Sequence, residues 1–243
     1  DRILNKLEKV AKTARSLIDP AAAPKPLIGI VGEIFLRMHV RSNQELIRML
    51  ERHGAEVVDS SLAEWVNYIT YGQLRQHKIG LRLNLKHLNF GHLRHHIQNI
   101  LGFGGDLFYQ EMRQKQFYRR VSRLIDVEPD HKISHLEKRL KKTDIFTFDI
   151  TTETCLSIAA ILQFVEGGCN GVLNVYPFAC MPGMTTSAIV KPVMNRRRVP
   201  YLDTPYDGSL QPGRETAIRT FMHQVHQHFE RHGRKGRIQS QAA

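Results

Sequence analysis

The feature that most restricts this chain is a set of short apolar runs, each separated from the next by helix-patterned sequence. Leu27-Ile28-Gly29-Ile30-Val31 is too short for a helix and has no polar alternation, as expected of a strand buried on both faces. Ala55-Glu56-Val57-Val58 and Gly171-Val172-Leu173-Asn174-Val175 repeat the pattern, and Val199-Pro200-Tyr201-Leu202 gives a fourth run whose proline belongs at a strand's first residue or near an edge. Ser42-x-x-Glu45 reads as a capping box opening the helix between the first two strands, with Gly54 closing it. Strand, helix and strand within about 30 residues form a right-handed βαβ unit. The expected fold is therefore α/β, a flavodoxin-like open parallel sheet of about four strands in order 2-1-3-4.

Other segments depart from that rhythm. Residues 1–26 read as an amphipathic helix over 1–18 (Ile3, Leu4, Leu7, Val10, Ala11, Ala14, Leu17, Ile18) stopped by a Pro/Ala linker from Asp19 to Pro26, with the α/β domain occupying 27–243. Residues 62–125 are basic, His-rich and helical in period, broken at Gly102-Phe103-Gly104-Gly105; the helical insertion is placed at 62–140. Further on, Glu153 to Glu166 is helical and Tyr176 to Gly183 a loop. Thr185 to about Asn195 is a helix that Pro192 ends or kinks, and Glu215 to Arg231 is the last helix.

Composition narrows the function classes. The 243 residues are 42% hydrophobic and 24% charged, ordinary for a packed domain. No apolar run approaches the roughly 18–20 residues of a membrane span. The opening lacks a signal peptide, and Asp1 reads as a cut terminus. A soluble, cytoplasmic protein with reduced thiols is expected. The net charge of +12 gathers in the middle segment and around Arg196-Arg197-Arg198 with Arg231, Arg234, Lys235 and Arg237. Solvated helix faces account for it, or an anionic ligand such as a phosphate-bearing cofactor. Nucleic-acid binding would rest on charge alone, without an RNP, zinc-finger or helix-turn-helix signature. A Walker A motif is absent, which argues against ATP hydrolysis by this chain.

Ligands of open parallel sheets bind at the carboxyl ends of the strands. The loops there carry Gly32 to Arg37, Tyr176 to Gly183, and Asp203 to Gly208. In order 2-1-3-4 the first two flank the switch point, placing Glu33 and Arg37 near Cys180. Cys155, at the start of the helix before strand three, shares that edge, whereas Cys169 falls at the opposite one. Loops of free amides and helix N-termini favour thiolates, which suit metal ligation and nucleophilic chemistry. The alternatives are a small buried apolar Cys180 and a structural Glu33–Arg37 ion pair. Asp207-Gly208 is a turn signal first and a ligand contact second.

Five segments resemble a known family: Lys25-Pro-Leu-Ile-Gly-Ile-Val-Gly-Glu-Ile-Phe-Leu-Arg37, the Asn43-x-x-Leu-Ile47 start of the next helix, His53-Gly-Ala-Glu-Val-Val58, Phe164-Val-Glu-Gly-Gly-Cys-Asn-Gly-Val-Leu-Asn-Val-Tyr-Pro-Phe-Ala-Cys-Met-Pro-Gly183, and Val199-Pro-Tyr-Leu-Asp-Thr-Pro-Tyr-Asp-Gly208. They are similar to the second α/β domain of 2-hydroxyacyl-CoA dehydratase-type proteins, closest to the large activase-related ones. Pro-Phe-x-Cys-Met-Pro-Gly is the most specific part. The resemblance implies an iron–sulfur system in which thiolates hold an oxygen-sensitive 4Fe–4S or related cluster. A separate ATP-hydrolysing activator supplies a low-potential electron, and the substrates are acyl-CoA thioesters. Cys180 falls on the motif cysteine. Cys155 and Cys169 stand where the relatives have small residues, and a cluster needs about three or four thiolates. The missing ligands are expected from N-terminal modules of the same polypeptide, from a partner subunit, or from Cys155. In the favoured reading Glu33 and Arg37 line a catalytic pocket, and Pro182, Gly183, Asp207 and Gly208 contact the cofactor. The competing expectation is a non-catalytic interaction module of a large multidomain protein.

Overall fold

The computed structural model describes residues 2–127 and 129–234; Asp1, Lys235 and Arg237 lie outside the described residues. Along the chain the elements are α1 (Arg2–Leu17), β1 (Leu27–Gly32), α2 (Ile34–Met38), α3 (Leu46–Arg52), β2 (Glu56–Asp59), α4 (Leu62–Lys86) and α5 (Leu93–Val121). They continue with α6 (Ile133–Thr143), α7 (Glu153–Glu166), β3 (Gly171–Pro177), α8 (Met181–Arg197), β4 (Tyr201–Tyr206) and α9 (Arg214–His232). Two compact units divide them: residues 1–22 with 61–135, and residues 23–60 with 136–243. No helix among the described residues is long and apolar enough to cross a membrane.

The second unit is α/β. Its sheet is open and parallel throughout, in the order β2-β1-β3-β4. β1 and β3, the central strands, are buried along nearly their whole length, which explains their unbroken apolar sequence. Ile28, Ile30, Leu173 and Val175 pack with Leu50 of α3 and with Ile218, Phe221 and Val225 of α9. α7 is almost entirely enclosed, from Thr154 to Phe164, and so reads as apolar all round rather than striped.

Several local expectations are corrected. α3 starts at Leu46, not at Ser42: Asn43 supplies the local anchor, accepting the Leu46 N–H and donating to the Leu36 and Arg37 carbonyls. Glu45 there is left-handed, at φ 56°, which a capping box does not allow. β4 covers Tyr201–Tyr206, so Asp203 and Thr204 are strand residues; as an edge strand it tolerates Pro205. α8 begins at Met181, with Pro182 in the first turn, where a missing N–H costs no helical bond. It continues past Pro192.

The first unit is helical. α4 is capped by Ser61 Oγ, which accepts the Ala63 and Glu64 N–H groups. α5 runs unbroken through Gly102, Gly104 and Gly105, contrary to the expected break. The two helices meet along a largely polar seam: Asn67 donates to Gln114 at 2.6 Å, Gln110 donates to Thr70 at 3.1 Å, and His77 meets His96. α1 packs on α5, with an Arg120–Glu8 ion pair at 3.0 Å.

Candidate functional site at the carboxyl edge of the sheet

β1 and β3 are neighbours, and the chain leaves their carboxyl ends towards different helices, so the switch point lies between Gly32 and Pro177. Gly32 has φ +113°, and a Cβ there would stand 2.0 Å from the Val175 carbonyl oxygen. Only glycine lets the β1 exit pass this close to β3. The next residue fixes the crossing, the Glu33 N–H donating to Val175 O at 2.7 Å.

Cys180 is the N-cap residue of α8, half-buried and without a side-chain capping bond. Left-handed Ala179, at φ 62°, turns the chain, and the Cys180 N–H closes the turn on Pro177 O at 3.0 Å. A narrow crevice at this point is lined by Gly32, Glu33, Glu153, Tyr176, Cys180 and Pro182, among others. Its volume of about 10 Å³ is roughly what one water molecule needs. The structure therefore brings Cys180 and Glu33 to one crevice.

Glu33 is also the N-cap of α2, its two carboxylate oxygens accepting the Phe35 N–H at 3.0 Å and the Leu36 N–H at 2.8 Å. Arg37 is turned away from the crevice. It is 3% exposed, donates Nε–H to Gly32 O at 3.1 Å, and binds Asp59 Oδ1 at 2.7 Å and the Ser60 carbonyl. Arg37 thus clamps the β1 and β2 ends together, and neither it nor Glu33 forms the ion pair that was the other possibility. Burial pushes the Asp59 carboxyl above its ordinary range, with Arg37 opposing.

Cys155 sits in the first turn of α7, at the same edge, because Thr154 Oγ1 donates to Pro182 O at 3.1 Å and so joins the starts of α7 and α8. Its thiol is fully buried and donates to Thr152 O at 3.0 Å, outside the crevice lining. Cys169 is buried just before β3, at the opposite edge. Gly183 holds α8 against Tyr176: a Cβ would lie 2.3 Å from the Tyr176 Cγ. The carbonyls of Pro182 and Gly183 are engaged by Thr186 Oγ1 at 2.9 Å and Asn174 Nδ2 at 3.1 Å. Asp207 and Gly208 lie apart from the crevice. Asp207 is an exposed turn residue accepting the Ser209 N–H and Oγ–H, which hold its carboxyl below the usual range, and Gly208 has φ +86°. Gly208 lines a separate cleft of about 610 Å³ with Glu33, Phe35, Arg41, Tyr206 and Leu210.

The sequence reading missed a polar network under the crevice. Asn174, fully buried in β3, donates to Asp203 Oδ1 at 3.2 Å. Asp203 also accepts from Tyr201 at 2.8 Å and Ser187 at 2.5 Å, and pairs with Lys191 at 2.7 Å. Burial raises the Tyr176 phenol, and the negative charges of Asp203 and Cys180 push it further. An asparagine inside an apolar strand run was the available signal.

Among the described residues no group of three or more His, Cys, Asp or Glu side chains is arranged to hold a metal ion. The donor set at the crevice is one thiol, Cys180, beside the Glu33 and Glu153 carboxylates. It fits a multi-thiolate cluster only as one contributor among several. No family model, no curated protein and no solved structure matches this chain.

Proposed function

We propose that the α/β unit is a dehydratase-like half-site of an iron–sulfur, ATP-activated electron-transfer system acting on 2-hydroxyacyl-CoA or related thioesters. It is incomplete on its own. Cys180 is the ligand it contributes, and the other thiolates come from N-terminal modules of the same polypeptide or from a partner subunit. The system would operate in the cytoplasm, where thiols stay reduced.

One observation carries this reading: a half-buried thiol without a capping bond at the start of a 17-residue helix, at the switch point of a parallel sheet. Ligands of such sheets gather there, and helix N-termini favour anionic ligands. The surroundings support a shared site. Phe178, Met181 and Met184, on the turn and helix carrying Cys180, are 69%, 70% and 53% exposed. Apolar groups clustered beside a metal ligand suit a surface that another domain covers. When bound, the cluster would supply a low-potential electron to the thioester. This chain's residues would position the site: Gly32 and Gly183 keep the crevice walls close, and the Arg37–Asp59 clamp fixes the β1 exit.

The test is anaerobic iron and sulfide reconstitution of the full-length polypeptide with its partner. Cluster content should fall in Cys180→Ala and persist in Cys155→Ala. A second reading, a non-catalytic interaction module, draws on the Cys155 thiol being occupied by Thr152 and on the incomplete donor set. Iron-free protein from strictly anaerobic preparation would favour it.

A further inference from the structure

The helical unit carries a histidine cluster that the proposed function does not use. His77 of α4 and His96 of α5 face each other with their Nδ1 atoms 3.2 Å apart. Their ring centroids are 5.4 Å apart, and His95 lies 5.5 Å from His77 and 5.8 Å from His96. Two features hold this arrangement. Phe103 stacks on the His77 ring at 5.7 Å and an interplanar angle of 16°. Gly80 leaves the slot in which the His96 imidazole lies: a Cβ there would stand 2.5 Å from Cε1 and 2.9 Å from Nε2.

We propose that His77 and His96 form a two-imidazole chelate for a divalent transition-metal cation of the zinc or copper class, bracing α4 against α5. Zinc–imidazole bonds are about 2.0–2.1 Å long, so a cation equidistant from both Nδ1 atoms would subtend an angle of roughly 100°, close to tetrahedral. Imidazole nitrogen is a preferred donor for these metals and a poor one for calcium or magnesium, which sets the ligand class. No third donor converges on the point among the described residues, so water would complete the coordination. As the site stands, one ring must donate its Nδ1–H to the other. Binding moves that proton to the same ring's Nε2 and leaves both Nδ1 lone pairs on the cation, so no net proton is released.

Isothermal titration of the full-length, metal-stripped protein with Zn²⁺, paired with thermal unfolding, tests this. One cation per chain should bind and raise the unfolding temperature. His77→Asn and His96→Asn should each weaken that step by roughly tenfold or more. His223→Asn, at an exposed position of α9, should leave it unchanged. Gly80→Ala removes no donor, yet should weaken binding by displacing the His96 ring. Absence of a stoichiometric step, or a step unchanged in both His77→Asn and His96→Asn, overturns the proposal and leaves a hydrogen-bonded histidine pair.

Discussion

Replacing Arg37 by methionine separates a structural clamp from a catalytic side chain. The guanidinium is 3% exposed and makes three contacts, to Gly32 O, Asp59 Oδ1 and Ser60 O. Breaking a fully buried ion pair costs about 3–5 kcal/mol, because the partner charge is left uncompensated. The Asp59 side chain is 25% exposed and recovers some hydration, so the expected loss is about 2–4 kcal/mol. Urea unfolding followed by far-ultraviolet circular dichroism would show it as a lower midpoint with an unchanged slope. Arg37→Met with Asp59→Asn should recover a substantial part, since no charge is then stranded. The pH dependence has a definite sign. Without Arg37, only the Ser60 backbone hydrogen bond offsets the burial that raises Asp59, so its carboxyl takes up a proton at higher pH than in the native protein. The penalty is therefore full at neutral pH and shrinks as the medium becomes acid. An unchanged midpoint combined with loss of iron incorporation would refute the clamp and return Arg37 to the site.

Three further outcomes follow from packing and titration. In the native protein a thiol reagent should modify Cys180 quickly and spare Cys155 and Cys169, which are 0% and 4% exposed; equal rates for all three, followed by mass spectrometry, would contradict the placement. Gly183→Ala should cost about 1–3 kcal/mol in urea unfolding, because its Cβ meets the base of the Tyr176 side chain, which cannot swing aside; a neutral variant would show that the α8 start is loosely seated. Burial, reinforced by His232, lowers His228 below the ordinary histidine value, so the folded state prefers the neutral ring whose Nδ1 lies 3.3 Å from the Asn170 amide. Its contribution is present above about pH 6.5 and is lost as pH falls through that value towards the lower folded one. His228→Gln should flatten this part of the stability profile, and an unaltered profile would assign the effect elsewhere.

The central sheet was legible because double-sided burial leaves one mark on sequence: short unbroken apolar runs such as Ile28 to Val31 and Val172 to Leu173. The shared edge of Cys155 and Cys180 follows from connectivity alone, whereas the strand order, found as β2-β1-β3-β4, was expected from the flavodoxin-like pattern. Proline misled the reading twice. At Pro182 it opens a helix, and at Pro205 it sits in an edge strand, yet both segments have the composition of loops. α5 ignores its glycines because α4 supplies contacts that local propensity does not register. Arg37 was illegible for another reason. A cation at a strand's carboxyl end looks the same whether it turns into a cleft or back onto the sheet, and its partner Asp59 lies 22 positions away on a neighbouring strand. Cys155 shows the same ambiguity at atomic scale: edge and element are readable, but the rotamer that gives its thiol to Thr152 O is not.

The sharpest test of the shared-cluster account is electron paramagnetic resonance of the reduced, iron-loaded full-length protein with Cys180→Ser. Serine offers oxygen in place of sulfur to one iron. The account predicts a retained but altered signal, or its loss, while Cys169→Ser gives the native spectrum. An unaltered spectrum in Cys180→Ser would contradict the assignment of Cys180 as a ligand.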